Sequence, residues 1–169
     1  MSALVAYFSR PGENWFDGEI RSIKTGNTEV LAKAVAEAAG ADLFRIETVK
    51  PYPAAYRACT DLAKEELAAG ARPELKSCPK ELEGYGTVYV GYPVWWGTAP
   101  MAVFTFLESF GWEGRTIRPF CTHEGSGLGG SVEDIARACP GAKVEAGFAV
   151  TGSEAARAAA KAARWVRGA

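Results

Sequence analysis

Gly91-Tyr92-Pro93-Val94-Trp95-Trp96-Gly97-Thr98-Ala99-Pro100 is the stretch that decides how this chain folds. It follows directly on Thr87-Val88-Tyr89-Val90, a short run of β-branched and aromatic residues that reads as a buried strand. Pro93 takes the backbone out of a sheet ladder and Gly97 frees it to turn, which predicts a loop at the strand's carboxyl end. Neighbouring residues of an extended chain point to opposite sides, so Trp95 and Trp96 do not both enter one core. One of them is expected to face a cleft. In an α/β protein the loops beyond the carboxyl ends of the strands hold the ligand, and a flat aromatic ligand matches a loop built this way.

Toward the amino terminus, Ala3 to Phe8 is a nearly continuous apolar run, as expected of a central parallel strand covered on both faces. It ends at Ser9-Arg10. Thr25-Gly26-Asn27-Thr28 then opens a helix whose apolar face is read as Val30, Leu31, Ala34, Val35 and Ala38, with Gly40 as its stop. A helix amino terminus beside small hydroxylated residues binds anions, so this cluster is a candidate phosphate site. Between the two, residues 11–24 form an insertion whose ends must return to one place. Asp17-Gly18 suits the two-residue turn of a hairpin, which could carry Trp15 and Phe16 over the ligand or tuck them onto the body.

Further along, Leu43 to Ile46 reads as a second strand and Ala54 to Ala69 as a helix carrying Tyr56, Cys59, Leu62, Ala63 and Leu67 at helical spacing. After the tryptophan loop comes a helix from Pro100 to Ser109, with Val103, Phe104 and Leu107 inward. A fourth strand, Thr116 to Cys121, contains a proline that predicts irregular pairing, and it opens into Thr122-His123-Glu124-Gly125-Ser126-Gly127-Leu128-Gly129-Gly130. Ser131 and Asp134 read as a capping box for the next helix. Val144 to Val150 is the fifth strand, and Ser153 starts an alanine-rich closing helix that reaches Val166. Five strands alternating with five helices, without repeats or a linker, imply one domain over residues 1–169: a parallel sheet with helices on both faces.

Composition narrows the function. Nineteen basic and twenty acidic residues leave a formal charge of −1, which disfavours nucleic acid as a partner. No stretch reaches the twenty or so apolar residues of a membrane span and the start lacks a charged leader, so a cytoplasmic protein is expected. Cys59, Cys78, Cys121 and Cys139 lack the paired spacing of a zinc site and read as reduced thiols; Cys121 lies next to the expected cleft. No metal site is expected.

Three loops thus lie beyond strand ends: Ser9 with Thr25 to Thr28, Tyr92 to Thr98, and Thr122 to Gly130. The first offers hydroxyls and amides without a P-loop lysine, which disfavours a nucleoside triphosphate. The second offers aromatic faces, and the glycines of the third let backbone groups approach a ligand edge. A monophosphate joined to a planar heterocycle would use all three. Gly125, Gly127 and Gly130 also satisfy a dinucleotide fingerprint with Glu145 twenty residues on, but Glu145 begins a strand instead of ending one, and too little chain follows. His123 is read either as a catalytic proton donor or as the residue that fixes its loop. The alanine-rich closing helix reads most simply as a close-packed covering helix, although Trp165 near its end could serve a dimer contact, so monomer and homodimer both stay open.

With residues 11–24 removed, Tyr7-Phe8-Ser9-Arg10-Thr25-Gly26-Asn27-Thr28 resembles the phosphate loop of flavodoxins. The Gly-Tyr-Pro-Val-Trp-Trp-Gly and Thr-His-Glu-Gly-Ser-Gly loops are similar to the two flavin-contacting loops of the flavodoxin-like branch that includes FMN-dependent reductases. The resemblance implies a three-layer α/β sandwich with a five-stranded parallel sheet of order 2-1-3-4-5, and FMN at the switch point. It implies that Ser9, Thr25, Asn27 and Thr28 hold the phosphate, to which Arg10 could add a cation. Pro93, Val94, Trp95, Trp96 and Gly97 would flank the isoalloxazine on one side, and Thr122, His123, Glu124, Gly125, Ser126 and Gly127 on the other. The function implied is electron transfer to a redox partner protein. The alternatives are an NAD(P)H-dependent reductase of quinones or similar small-molecule acceptors, or a flavin-free interaction module on the same fold.

Overall fold

The computed structural model describes residues 2–168. The chain runs β1 (Ser2–Tyr7), a hairpin of β2 (Gly12–Phe16) and β3 (Glu19–Ile23), α1 (Asn27–Ala39), β4 (Asp42–Arg45), α2 (Tyr56–Ala69), β5 (Tyr85–Pro93), α3 (Met101–Leu107), β6 (Thr116–His123) and α4 (Ser131–Ala138). It closes with β7 (Lys143–Val144), β8 (Phe148–Thr151), a 3-10 turn (Gly152–Arg157) and α5 (Ala159–Arg167). The main sheet has the order β4-β1-β5-β6-β7, all parallel, with β8 also paired to β6. Counted by sheet position this is 2-1-3-4-5.

The period of two along each strand sorts the apolar residues into two cores. Leu4, Ala6, Val88, Val90 and Tyr92 pack with α3 and α4 on one face, and Val5, Tyr7, Tyr89 and Phe120 with α1 and α5 on the other. Burial on both sides is why β1 reads as an unbroken apolar run. Among the described residues, no helix is long and apolar enough to cross a membrane.

Two prolines shape the sheet differently from expectation. Pro93 does not leave the ladder: it pairs with Thr122, and β5 ends only after it. Gly91 O accepts from Phe8 N on the β1 side, while Val94 N donates to Thr122 O on the β6 side. The position of the missing Pro93 N–H therefore faces past the end of β1, where a lost donor costs nothing. Pro119 keeps regular register with β5, and the irregularity falls on its other neighbour. Lys143 N and Glu145 N donate to Arg115 O and Ile117 O, so the next bond along that edge would need to involve the Pro119 nitrogen. The fifth strand breaks there, into β7 and β8 instead of one run from Val144 to Val150.

The helices carry four more corrections. The buried face of α1 is Thr28, Leu31, Ala32, Val35 and Ala36, a rotation from the expected set, because alanines on both flanks give the sequence two faces of similar apolarity. α2 begins at Tyr56 rather than Ala54, where the Glu13 carboxylate accepts the Tyr56 N–H at 2.8 Å. Ser131 and Asp134 form no capping box: the Ser131 hydroxyl, wholly buried, bonds Leu128 O and the Tyr92 hydroxyl, and Asp134 accepts from Thr98 and Arg137. The closing segment is a 3-10 turn followed by α5, and Trp165, partly buried, packs against Tyr89, Phe120 and Phe148 within the chain.

Candidate functional site

The ends of β1, β5 and β6 are hydrogen-bonded to one another. Thr28 and Thr122 share a hydroxyl bond of 2.8 Å, Val94 N donates to Thr122 O at 3.0 Å, and Gly130 N donates to Gly97 O at 2.9 Å. The three loops therefore meet along one edge of the sheet.

At the α1 end, the Ser9 hydroxyl accepts the Glu29 N–H at 3.0 Å, a cap supplied from the end of β1. Among the described residues, the Asn27 and Thr28 N–H groups have no protein partner. Gly26 is required because a Cβ there would lie 2.1 Å from Ser9 Oγ and 2.9 Å from the Arg10 backbone. The result is a helix amino terminus with two free donors and a wall pressed close to it.

Beside it a groove of about 440 Å³ is lined by Asn27, by Pro93, Val94 and Trp95, and by Thr122, His123 and Glu124. The hairpin completes it with Asn14 and Trp15, and α2 with Tyr56; Trp15 and Tyr56 lie 6.2 Å apart between ring centroids. The hairpin turn is the one expected, with Asp17 and Gly18 both at positive φ, as its twist demands. Glu124 holds the tip by accepting N–H groups from Asp17 and Gly152, while burial pushes its carboxyl above the usual range. The insertion is thus a strap fixed at both ends, through Glu13 on α2 and through Glu124.

A second chamber, about 370 Å³, shares Asn14, Tyr56, Val94 and Trp95 with the first and continues to Arg10, Cys59, Thr60, Ala63 and Trp96. The two tryptophans divide as expected. Trp95 anchors edge-on against Phe8 and Tyr52, at 5.2 and 5.1 Å, whereas Trp96 is half exposed. Trp96 and Gly97 both take positive φ in a tight turn closed by Trp95 N to Thr98 O, a conformation unfavourable by about 1–2 kcal/mol for a residue with a Cβ. The indole N–H donating to Thr60 O at 2.9 Å and Lys64 lying 5.2 Å over the ring offset that cost.

The expected site residues separate into groups. Asn27, Pro93, Val94, Trp95, Thr122, His123 and Glu124 come together around the first groove. Ser9 and Thr28 sit buried behind it, Thr25 is exposed, and Gly97 and Gly125 to Gly127 are loop backbone. Arg10 lines the second chamber with Trp96, its guanidinium donating to the carbonyls of Glu13, Pro53 and Ala54. Cys121 is sealed in the core, where burial pushes its thiol up to about 12; Cys59 is the cysteine that reaches a chamber. The residues absent from the sequence reading of the site are Asn14, Tyr56, Cys59, Thr60, Ala63 and Gly152. Their signal was present in part: Tyr56, Cys59 and Ala63 form one helical stripe, which reads equally well as core.

Of the two roles for His123, the geometry supplies loop fixation. Its Nδ1 accepts the N–H groups of Gly125 at 2.9 Å and Gly127 at 3.1 Å, which places the proton of the neutral ring on Nε2. Burial lowers its pKa below 6.5, and Glu154 opposes this more weakly. A depressed histidine contributes stability that is complete above about pH 6.5 and is lost as pH falls through the folded value. As the only histidine in the chain, its ring signals are assignable without further labelling. An NMR titration is expected to give a midpoint below 6.5, with the Gly125 and Gly127 amides moving at the same midpoint; a midpoint at or above 6.5 contradicts the assignment.

The family model described as Flavodoxin matches residues 20–168 of this chain. A solved structure named as a flavoprotein from Bacteroides uniformis is 29% identical, with a TM-score of 0.80 over 98% of this chain and 97% of that one. Another, from Bacteroides eggerthii, is 31% identical, with a TM-score of 0.73 over 93% and 94%. A flavoprotein from Lactobacillus acidophilus, solved in complex with FMN, shares the fold at 19% identity, with a TM-score of 0.63 over 92% and 97%. No curated protein matches the chain.

Proposed function

The chain belongs to the flavodoxin family, and from that premise we propose that it binds FMN in the groove beside α1 and passes electrons through it. The observation that carries the reading is the junction of two unpartnered N–H donors, at Asn27 and Thr28, with a groove walled by aromatic and backbone groups. The phosphate is held by these N–H groups and the Asn27 amide, neutral dipoles that favour an anion without a basic side chain. Pro93, Val94 and Trp95 flank the ring on one side and the His123 loop on the other, with Trp15 and Tyr56 from the strap and α2 closing over it.

Bound FMN supplies a centre that takes up and releases one or two electrons. The protein's own contribution is the environment: an apolar wall penalises negative charge on the ligand, and the Gly125 and Gly127 N–H groups do not relieve that penalty because His123 Nδ1 accepts both. With a formal charge of only −1, the chain steers basic protein partners weakly. A second reading, a reductase of small acceptors fed by NAD(P)H, is favoured by the adjoining chamber beside Trp95.

Acid extraction of the purified protein followed by mass measurement is expected to release FMN. Stripped protein is expected to quench FMN fluorescence with a submicromolar Kd. No extracted flavin, together with no quenching at micromolar concentrations, overturns the proposal.

A further inference from the structure

We infer that the second chamber is a separate ligand site that takes a planar aromatic anion, an aryl carboxylate or phenolate of one or two fused rings. Its volume of about 370 Å³ lies at the lower end of the ~300–1,000 Å³ usual for small-molecule sites. The walls that set its shape are flat or small: Trp95 and Val94 on the strand side, Trp96 at the rim, and Ala63 with Cys59 from α2. Trp95 is locked by Phe8 and Tyr52, and Trp96 by its bond to Thr60, so the aromatic surfaces are preorganised.

The charge at this site is as fixed as the walls. Arg10 donates to three backbone carbonyls and, among the described residues, forms no ion pair, so its guanidinium is held in place with its charge uncompensated. Lys64 lies 5.2 Å over the Trp96 ring, outside the chamber's lining, so Arg10 is the cation that faces the slot. Glu13 directs its carboxylate to the Tyr56 N–H at the start of α2. The Tyr56 hydroxyl has no hydrogen-bond partner among the described residues, and Tyr56 lines both chambers, which leaves an O–H donor for a bound oxygen anion. Guanidinium and phenol beside a flat apolar slot select an anionic ring over a neutral one.

The shared wall of Val94 and Trp95 sets the occupant beside the flavin groove. The binding does not rest on the FMN reading.

The test is titration with 1-naphthoate and with its neutral analogue 1-naphthalenemethanol, followed by tryptophan emission, on protein stripped of flavin and on protein saturated with FMN. Naphthoate is expected to bind at least tenfold more tightly than the alcohol, and FMN to change its Kd by less than twofold. Arg10→Gln is expected to remove that tenfold preference, and Thr60→Phe, which fills the slot from its half-exposed side, to abolish binding. One-for-one displacement of naphthoate by FMN overturns the inference, as do equal affinities for acid and alcohol or indifference to Thr60→Phe. Naphthoate binding in a protein that fails to bind FMN supports the second site while overturning the flavin reading.

Discussion

Gly26→Ala is expected to lower FMN affinity about a hundredfold while leaving a folded protein. The added methyl meets Ser9 Oγ at 2.1 Å and the Arg10 backbone at 2.9 Å, separations that no rotamer change relieves on the backbone side. Ser9 must surrender its bond to Glu29 N, a cap worth about 1 kcal/mol, and the chain end of β1 must move away from α1. The two N–H donors at Asn27 and Thr28 then lose their alignment. Two bonds to a charged group, at about 1.5 kcal/mol each, correspond to about two orders of magnitude in Kd. Combining Ser9→Ala with Gly26→Ala separates the causes. Removing the hydroxyl relieves one clash, so the methyl's cost in stability shrinks in that background, whereas the backbone clash and the loss of affinity persist. Gly130→Ala, whose Cβ meets nothing closer than 3.9 Å, is the control. FMN titration and thermal melting of the five proteins, the parent, Ser9→Ala, Gly26→Ala, their combination and Gly130→Ala, provide the check; Gly26→Ala binding FMN within twofold of the parent removes the phosphate from the α1 terminus.

The same clash shows which parts of the site sequence can and cannot specify. Ser9, Thr25, Asn27 and Thr28 read as a candidate anion site because helix-terminus chemistry is local, and Ser9, Asn27 and Thr28 do meet at the start of α1 even with a strap inserted between them. The hairpin was equally readable, since Asp17-Gly18 determines its turn within two residues. What could not be read is anything that depends on which elements lie side by side. Arg10 was grouped with the phosphate loop by its place in the chain, yet the carbonyls of Pro53 and Ala54 draw it to α2. Tyr56, Cys59 and Ala63 were placed on the correct helical stripe, but only tertiary packing decides that this stripe faces a chamber. The limits of the strands were misjudged for a related reason. A proline ends a strand only if its missing N–H points at a partner, and that direction depends on the neighbour's length.

Arg118→Met is expected to lower stability by about 3 kcal/mol, the largest loss foreseen for a residue that lines neither chamber. The guanidinium reaches the last turn of α5, donating to Trp165 O at 2.6 Å and Val166 O at 2.9 Å, and to the Tyr89 hydroxyl at 3.1 Å. A cation on the carboxyl end of a helix in a partly buried setting contributes up to about 2 kcal/mol. Its plane also lies 4.6 Å from Trp165 and 5.3 Å from Tyr89, which adds about 1 kcal/mol. Glu145 approaches Nε at 2.9 Å, at an angle that makes this a charge contact rather than a directed hydrogen bond, and it is about one-third exposed. Water can therefore accept Glu145 once Arg118 is gone, so the penalty stays below the 3–5 kcal/mol of a fully buried broken pair. The same contact ties down residue 145 where Pro119 denies the fifth strand its ladder, so one side chain secures both the split edge and the closing helix. For a domain of this size 3 kcal/mol corresponds to a fall of roughly 10 °C in Tm. Arg118→Lys, which keeps the charge and loses the fork, is expected to recover less than half of it. FMN affinity below the melting range is expected to stay within about twofold, because the variant touches the α1 and α5 layer and leaves the strand ends in place. A fall in Tm under about 2 °C means that α5 is secured by the packing of Trp165 alone.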